Sequence, residues 1–113
     1  MPSERQEKMS ELIRKHAALF IERESTPQSL ITVTRVSLSP DFKNTTIYFT
    51  TLPEKQEQTA LLFLQRKRGD LRDYLKKHLK TRIIPFVDIA IDEGERNRQK
   101  IDMLLFQENR NED

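Results

Sequence analysis

The chain has 113 residues, 34% of them charged, with 20 Lys+Arg against 18 Asp+Glu and a formal charge of +2. That length suits a single domain, and near-neutrality does not announce a nucleic-acid binder. The absence of cysteine excludes disulfides, thiolate nucleophiles and thiolate metal sites, and Gly69 and Gly94 alone cannot build a Gly-rich phosphate loop. Two histidines far apart in the chain, His16 and His78, argue against an imidazole-rich metal centre, so no cofactor is expected. No apolar run approaches the roughly 18–20 residues of a membrane span, and Met1–Lys8 lacks the apolar core of a signal peptide. A soluble, cytoplasmic setting with no membrane partner is expected.

In chain order, Ser3-Glu4-Arg5-Gln6 fits a capping box, with the Ser3 hydroxyl accepting from the backbone and Gln6 reaching back. Met9, Leu12, Ile13, Ala17 and Phe20, with His16 on the same stripe, then repeat at helical spacing. This helix should fade near Glu22–Ser25, ahead of the turn signal Thr26-Pro27. Leu30–Leu38 and Thr45–Thr51 are rich in β-branched residues and flank Ser39-Pro40-Asp41, which predicts an antiparallel pair of strands. Pro53 ends the second strand and suits the start of a helix.

Residues 54–67 carry Ala60, Leu61, Leu62, Phe63 and Leu64, enough for a helix buried over much of its surface. Gly69 interrupts it, and Asp70 can cap a second helix bearing Leu71, Tyr74, Leu75, His78 and Leu79. Ile83–Asp92 reads as a third strand, with Val87, Ile89 and Ile91 on a covered face and Asp88, Ala90 and Asp92 on a wetter one. Pro85 places that strand at an edge, or itself at the strand's beginning. After a polar stretch, Ile101–Phe106 is a short helix candidate, and 107–113 should fray. The fold class is therefore α+β: three strands covered by helices on one face, one domain over residues 3–106 and a polar tail over 107–113.

Charge is distributed unevenly. Residues 66–82 hold eight cationic against two acidic side chains, a net of +6 that leaves −4 for the remainder. Arg66, Lys67, Arg68, Arg72, Lys76, Lys77, Lys80 and Arg82 straddle the helix break. Such a cluster is either a solvated helix face or a phosphate-binding surface, which gains entropy by releasing condensed counterions from nucleic acid. Gly69 likewise has two readings: a left-handed helix C-cap, or a gap that lets a phosphate or base approach the backbone. His16 should be a packed, hydrogen-bonded core or boundary residue, and His78 an addition to the basic surface. Tyr48 is a candidate for stacking on bases, whereas Phe49 belongs in the core. Asp88 and Asp92 lie about 13 Å apart along a strand, too far to share a metal, and should be solvated and paired with arginines. No nucleophile elbow, Walker loop or zinc ligand set is present, so the chain does not read as an enzyme with a small-molecule substrate.

The element order with a basic helix–break–helix resembles a type II KH domain, yet a KH domain clamps nucleic acid with a GXXG loop that two distant glycines cannot supply. The ribosome-binding factor A family has this KH-like layout with an interhelical Ala-x-Gly kink instead. Residues 4–105 resemble that family through Val36-Ser37-Leu38-Ser39-Pro40-Asp41-Phe42, Thr46-Ile47-Tyr48-Phe49-Thr50, the kink region 64–72 and Leu79–Asp92. Lys67 stands where the family has the kink alanine, and Thr45 where it often has another. The resemblance implies a monomeric, non-enzymatic assembly factor that binds the immature small ribosomal subunit and its rRNA. It further implies a role in late rRNA maturation, including 5′-end processing, that matters most in the cold. Arg66, Lys67, Arg68, Gly69, Arg72, Lys76, Lys77, Lys80 and Arg82 would then carry rRNA contact. The competing expectation is a protein-interaction module using the sheet edge near Pro85 or the C-terminal amphipathic helix.

Overall fold

The computed structural model describes residues 3–25 and 30–111, with side chains up to Phe106; the turn expected at Thr26-Pro27 lies outside the described residues. Helix α1 spans Glu4–Glu24, strand β1 Leu30–Leu38 and strand β2 Asn44–Leu52. A 3-10 turn, Glu54–Gln56, leads into α2 at Glu57–Arg66; α3 is Arg68–His78, β3 Phe86–Ile91 and α4 Glu93–Asn111. The sheet order is β1-β2-β3, with β1–β2 antiparallel, as expected, and β2–β3 parallel. A parallel partner requires a crossover, which α2 and α3 supply. This is the KH-like order α-β-β-α-kink-α-β.

One face of the sheet carries the core. Ile47 and Phe49 of the central strand are fully buried beneath Ile13, Ala17, Phe20 and Ile21 of α1, and beside Leu64, Leu71, Leu75, Val87 and Ile89. Burying a side chain of this size contributes roughly 1.5–3 kcal/mol. The α1 stripe is rotated slightly from the expected one: Leu12 is largely exposed and Ile21 is buried in its stead. Helix α2 is less buried than its composition suggests, with Ala60 and Leu64 inside and Leu62 exposed.

Caps and edges differ from expectation in instructive ways. The Ser3 hydroxyl accepts from Gln6 N at 3.1 Å, but the Gln6 side chain donates instead to the Leu38 carbonyl at the end of β1. It thereby satisfies a backbone carbonyl at the end of β1 and ties α1 to the sheet. The hairpin turn is closed by Ser39 Oγ donating to Asp41 Oδ1 at 2.6 Å and by Lys43 N–H on the same oxygen. Those two donors, the Ser39 hydroxyl first, hold the Asp41 carboxyl below its usual range.

Strand β3 begins at Phe86 rather than Ile83 because Pro85 has no N–H and the Ile84 and Pro85 carbonyls accept from Arg72. Pro85 therefore sits just before an edge strand. The last helix is not short: the backbone of α4 takes in the polar stretch from Glu93 and continues past Phe106 to Asn111, where fraying was expected. Asp92 starts it, accepting from Glu95 N at 3.0 Å, and Glu95–Arg98–Asp102 pairs at helical spacing support its exposed turns.

Candidate nucleic-acid interface

The break between α2 and α3 is a single residue, and it is Lys67. Its φ of −93° and ψ of 3° leave the helix for one step, while its N–H still reaches the Leu64 carbonyl at 3.0 Å and its carbonyl accepts from Leu71 N at 2.8 Å. Gly69 thus lies inside the first turn of α3, and neither glycine has a positive φ. The left-handed cap expected at Gly69 is absent, because the turn is made without leaving ordinary backbone space. A Cβ built on Gly69 would meet nothing within 4 Å, so packing does not require glycine either. What the glycine does is leave the backbone of the first turn of α3 uncovered.

The cations around it fall into two sets. Lys67 is half-buried, its Nζ 3.9 Å from carboxylates of both Glu24 and Asp70 and above the Phe63 ring. Arg68 pairs with Asp88 at 3.2 Å and donates to the Gln65 carbonyl. Arg72 donates to the carbonyls of Ile84 at 3.0 Å and Pro85 at 3.3 Å, and its guanidinium lies 4.7 Å from the Phe86 ring centroid. These three tie the kink to α1 and β3. Arg66, Lys76, Lys77, Lys80 and Arg82, by contrast, are exposed and make no ion pair among the described residues. Lys76 and Lys77 sit in the last turn of α3, where the helix dipole favours positive charge.

Leu71 and Leu75 face the core, so Gly69, Arg72 and Lys76, at i, i+3 and i+7, share one flank of α3. Between that flank and the start of β3 runs a groove of about 360 Å³ lined by Asn44, Arg68, Gly69, Arg72, Phe86 and Asp88. Phe86, absent from the sequence-based candidates, is 65% exposed. Its signal was present in the sequence: it shares the strand parity of Asp88 and Ala90, so a large aromatic occupies a solvent-facing position on an edge strand.

Other candidates settle differently. His78 does not join the basic flank; it stacks on His16 at 5.1 Å and on Tyr74 at 4.2 Å, on the side of α3 turned toward α1. His16 Nδ1 is buried without a hydrogen bond, contrary to the expected bonded histidine. Burial first, then His78 and Lys15, lowers its pKa. The Tyr48 ring, expected to be open to bases, has the Arg35 guanidinium 3.7 Å from its centroid. Phe49 is in the core as expected. Asp88 is exposed and paired as expected, whereas Asp92 is buried rather than solvated. Burial pushes the Asp92 carboxyl up, but Thr34 Oγ1 at 2.6 Å, Glu95 N–H and Arg35 outweigh it and leave the pKa lowered. Among the described residues, no three His, Asp or Glu side chains gather as a metal site, and no helix is long and apolar enough to cross a membrane.

The family profile of ribosome-binding factor A matches residues 5–105. This chain belongs to the ribosome-binding factor A family. Ribosome-binding factor A of Thermomicrobium roseum is 34% identical, over 95% of this chain and 85% of that one. The crystal structure of ribosome-binding factor A from Thermus thermophilus shares the fold, with a TM-score of 0.69 at 23% identity, covering 76% of this chain and 93% of that one. A homology model of the Thermus thermophilus factor, fitted into a cryo-electron-microscopy map of its 30S complex, superposes with a TM-score of 0.62 at 25% identity, covering 70% of this chain and 86% of that one.

Proposed function

We propose that this chain is a non-enzymatic assembly factor that binds the immature small ribosomal subunit through its rRNA. The reading rests on membership of the ribosome-binding factor A family, and one observation carries it to a surface. Exposed cations that make no ion pair among the described residues continue along α3 and beyond it, from the uncovered backbone at Gly69. Lys76, Lys77, Lys80 and Arg82, with Arg66 across the kink, contact phosphates. Arg68 and Arg72 border the groove, and Lys67 sets the angle between the helices. A rigid basic helix pair fixes position on folded RNA by phosphate contact, leaving selectivity to the shape of the RNA. The binding partner is the small subunit, and the consequence is late rRNA maturation, including 5′-end processing, with the greatest effect in the cold. The factor acts as a cytoplasmic monomer.

The test is co-sedimentation with small-subunit particles from lysate. Reversing Lys76, Lys77 and Lys80 together to glutamate abolishes co-sedimentation while the thermal transition stays in place. Native-level co-sedimentation of that variant would show that the basic surface is not the binding site. A second reading has one observation in its favour: Ile101, Met103, Leu104 and Leu105 are exposed on α4, a surface suited to a protein groove. A protein-interaction module would bind its partner with little dependence on salt and would ignore small-subunit rRNA.

A further inference from the structure

We propose that the free edge of β1 docks one extended, cationic peptide segment of a partner protein, which adds to the sheet as a further strand. This goes beyond the rRNA-binding reading and uses the edge of the sheet opposite β3.

Strand β1 pairs with β2, and no strand lies along its other edge among the described residues. The register decides which groups that edge carries. Phe86 N and Asp92 N donate to the Lys43 and Phe49 carbonyls, so odd-numbered residues of β2 turn their backbone groups to β3 and even-numbered ones to β1. In agreement, Ser39 N donates to the Asn44 carbonyl, and Ser37 is the partner of Thr46. Val36 and Leu38, opposite Ile47 and Thr45, therefore turn their N–H and C=O groups away from β2. One of these four is answered within the fold, where the Leu38 carbonyl accepts from the Gln6 side-chain amide. That amide stands where the backbone N–H of another strand would. The Val36 N–H and carbonyl and the Leu38 N–H have no partner among the described residues. Such a row of backbone groups is a template for strand addition.

The space beside the edge fits a single strand. A groove of about 810 Å³ runs between residues 6–14 of α1 and 34–38 of β1. That stretch of β1 is roughly 17 Å long at 3.4 Å per residue, and the irregularity between Val33 and Arg35 ends its straight register. A second copy of this chain does not fit the same place, because pairing its β1 here would drive its own α1 into the α1 wall. Charge selects the peptide. Both guanidiniums of the groove are engaged: Arg14 by Glu11, and Arg35 by Asp92 and the Tyr48 ring. Glu7 on the α1 wall makes no ion pair among the described residues. The chain outside residues 66–82 carries a net −4. A Lys or Arg on the added strand thus meets Glu7, and the acidic body draws a cationic peptide toward the edge.

The experiment selects binders to the intact chain from a displayed library of random linear decapeptides, then measures backbone amide exchange of the chain with an enriched peptide. Enriched sequences should carry Lys or Arg and lack proline in their middle. On binding, the Val36 and Leu38 amides should gain about tenfold protection at nine-tenths occupancy, while Ser37, already bonded to β2, should not change. N-methylation of alternate peptide residues should abolish binding, and N-methylation of the intervening ones should not, because only every second backbone group faces the edge. Glu7→Gln should weaken binding by about 2- to 5-fold while leaving the edge intact. Enrichment no greater than on an unrelated domain, N-methyl effects without alternation, or protection on α4 or β3 in place of Val36 and Leu38 would overturn the proposal. Val36 protection that rises with the chain's own concentration, without peptide, would give the edge to a second copy and overturn it as well. Unchanged affinity in Glu7→Gln would overturn the choice of a cationic peptide. Small-subunit co-sedimentation tests the rRNA-binding reading separately and does not depend on these outcomes.

Discussion

The two halves of the basic segment contain the same kinds of side chain in different employment. From Lys67 to Arg72 every cation is engaged by the protein: Lys67 by Glu24 and Asp70, Arg68 by Asp88, Arg72 by two carbonyls and the Phe86 ring. From Lys76 to Arg82 none makes an ion pair among the described residues. The difference follows from position along α3. Its first half lies against the start of β3 and the end of α1, where acceptors are within reach, while Lys76, Lys77, Lys80 and Arg82 are all exposed. A run of +6 thus has two parts: one ties the kink to α1 and β3, and the other makes no ion pair among the described residues.

That contrast can be broken by mutation. Arg72→Ala should destabilise the fold by about 2 kcal/mol in a urea titration, since it removes charge-assisted hydrogen bonds and a cation–π contact together. Lys76→Ala should leave stability within about 0.5 kcal/mol and lower the salt slope of RNA binding by about 0.7–0.9. If the two variants behave alike in both measurements, the division of the segment is wrong. Gly69→Ala sharpens the contrast at the boundary. With ordinary φ and open space at the Cβ position, alanine should stabilise by roughly 0.4–1 kcal/mol while weakening RNA binding, so that stability and affinity move in opposite directions.

The smallest effect concerns the inner flank of α3, where His78 meets His16. Burial, His78 and Lys15 keep the folded pKa of His16 below its ordinary value. Between that lowered pKa and about 6.5 the unfolded chain therefore binds the extra proton. The contribution of His16 is full above about pH 6.5 and is lost as pH falls through the folded pKa. A His16→Gln variant should show a flatter pH–stability curve in that window. An unchanged curve would mean that the imidazole is not disfavoured as a cation in the fold.

Much of the architecture was legible because it depends on local patterns. β-branched runs at 30–38 and 45–51 predicted the hairpin, and helical spacing of Ile13, Ala17 and Phe20 predicted α1. Errors arose where a local signal met a distant partner. Gly69 looked like the break because glycine is a common stop, but Lys67 makes the turn, reaching Glu24 of α1. Ile83 and Ile84 looked like strand, but Arg72 holds the Ile84 carbonyl. The stretch from Glu93 reads in the sequence only as polar, but Asp92, buried between Thr34 and Arg35, caps it as the first turn of α4.

The sequence by itself determined the alternation along β3 that buries Val87 and Ile89 and exposes Asp88, the α+β class, and the concentration of positive charge between residues 66 and 82. It did so because periodicity and net charge are local properties of the chain. Tertiary structure alone decided which cations are paired within the fold, that two histidines distant in sequence stack, and that Phe86 and Gly69 line one groove. Each of these depends on which groups folding brings within a few ångströms, and no spacing along the chain encodes that distance.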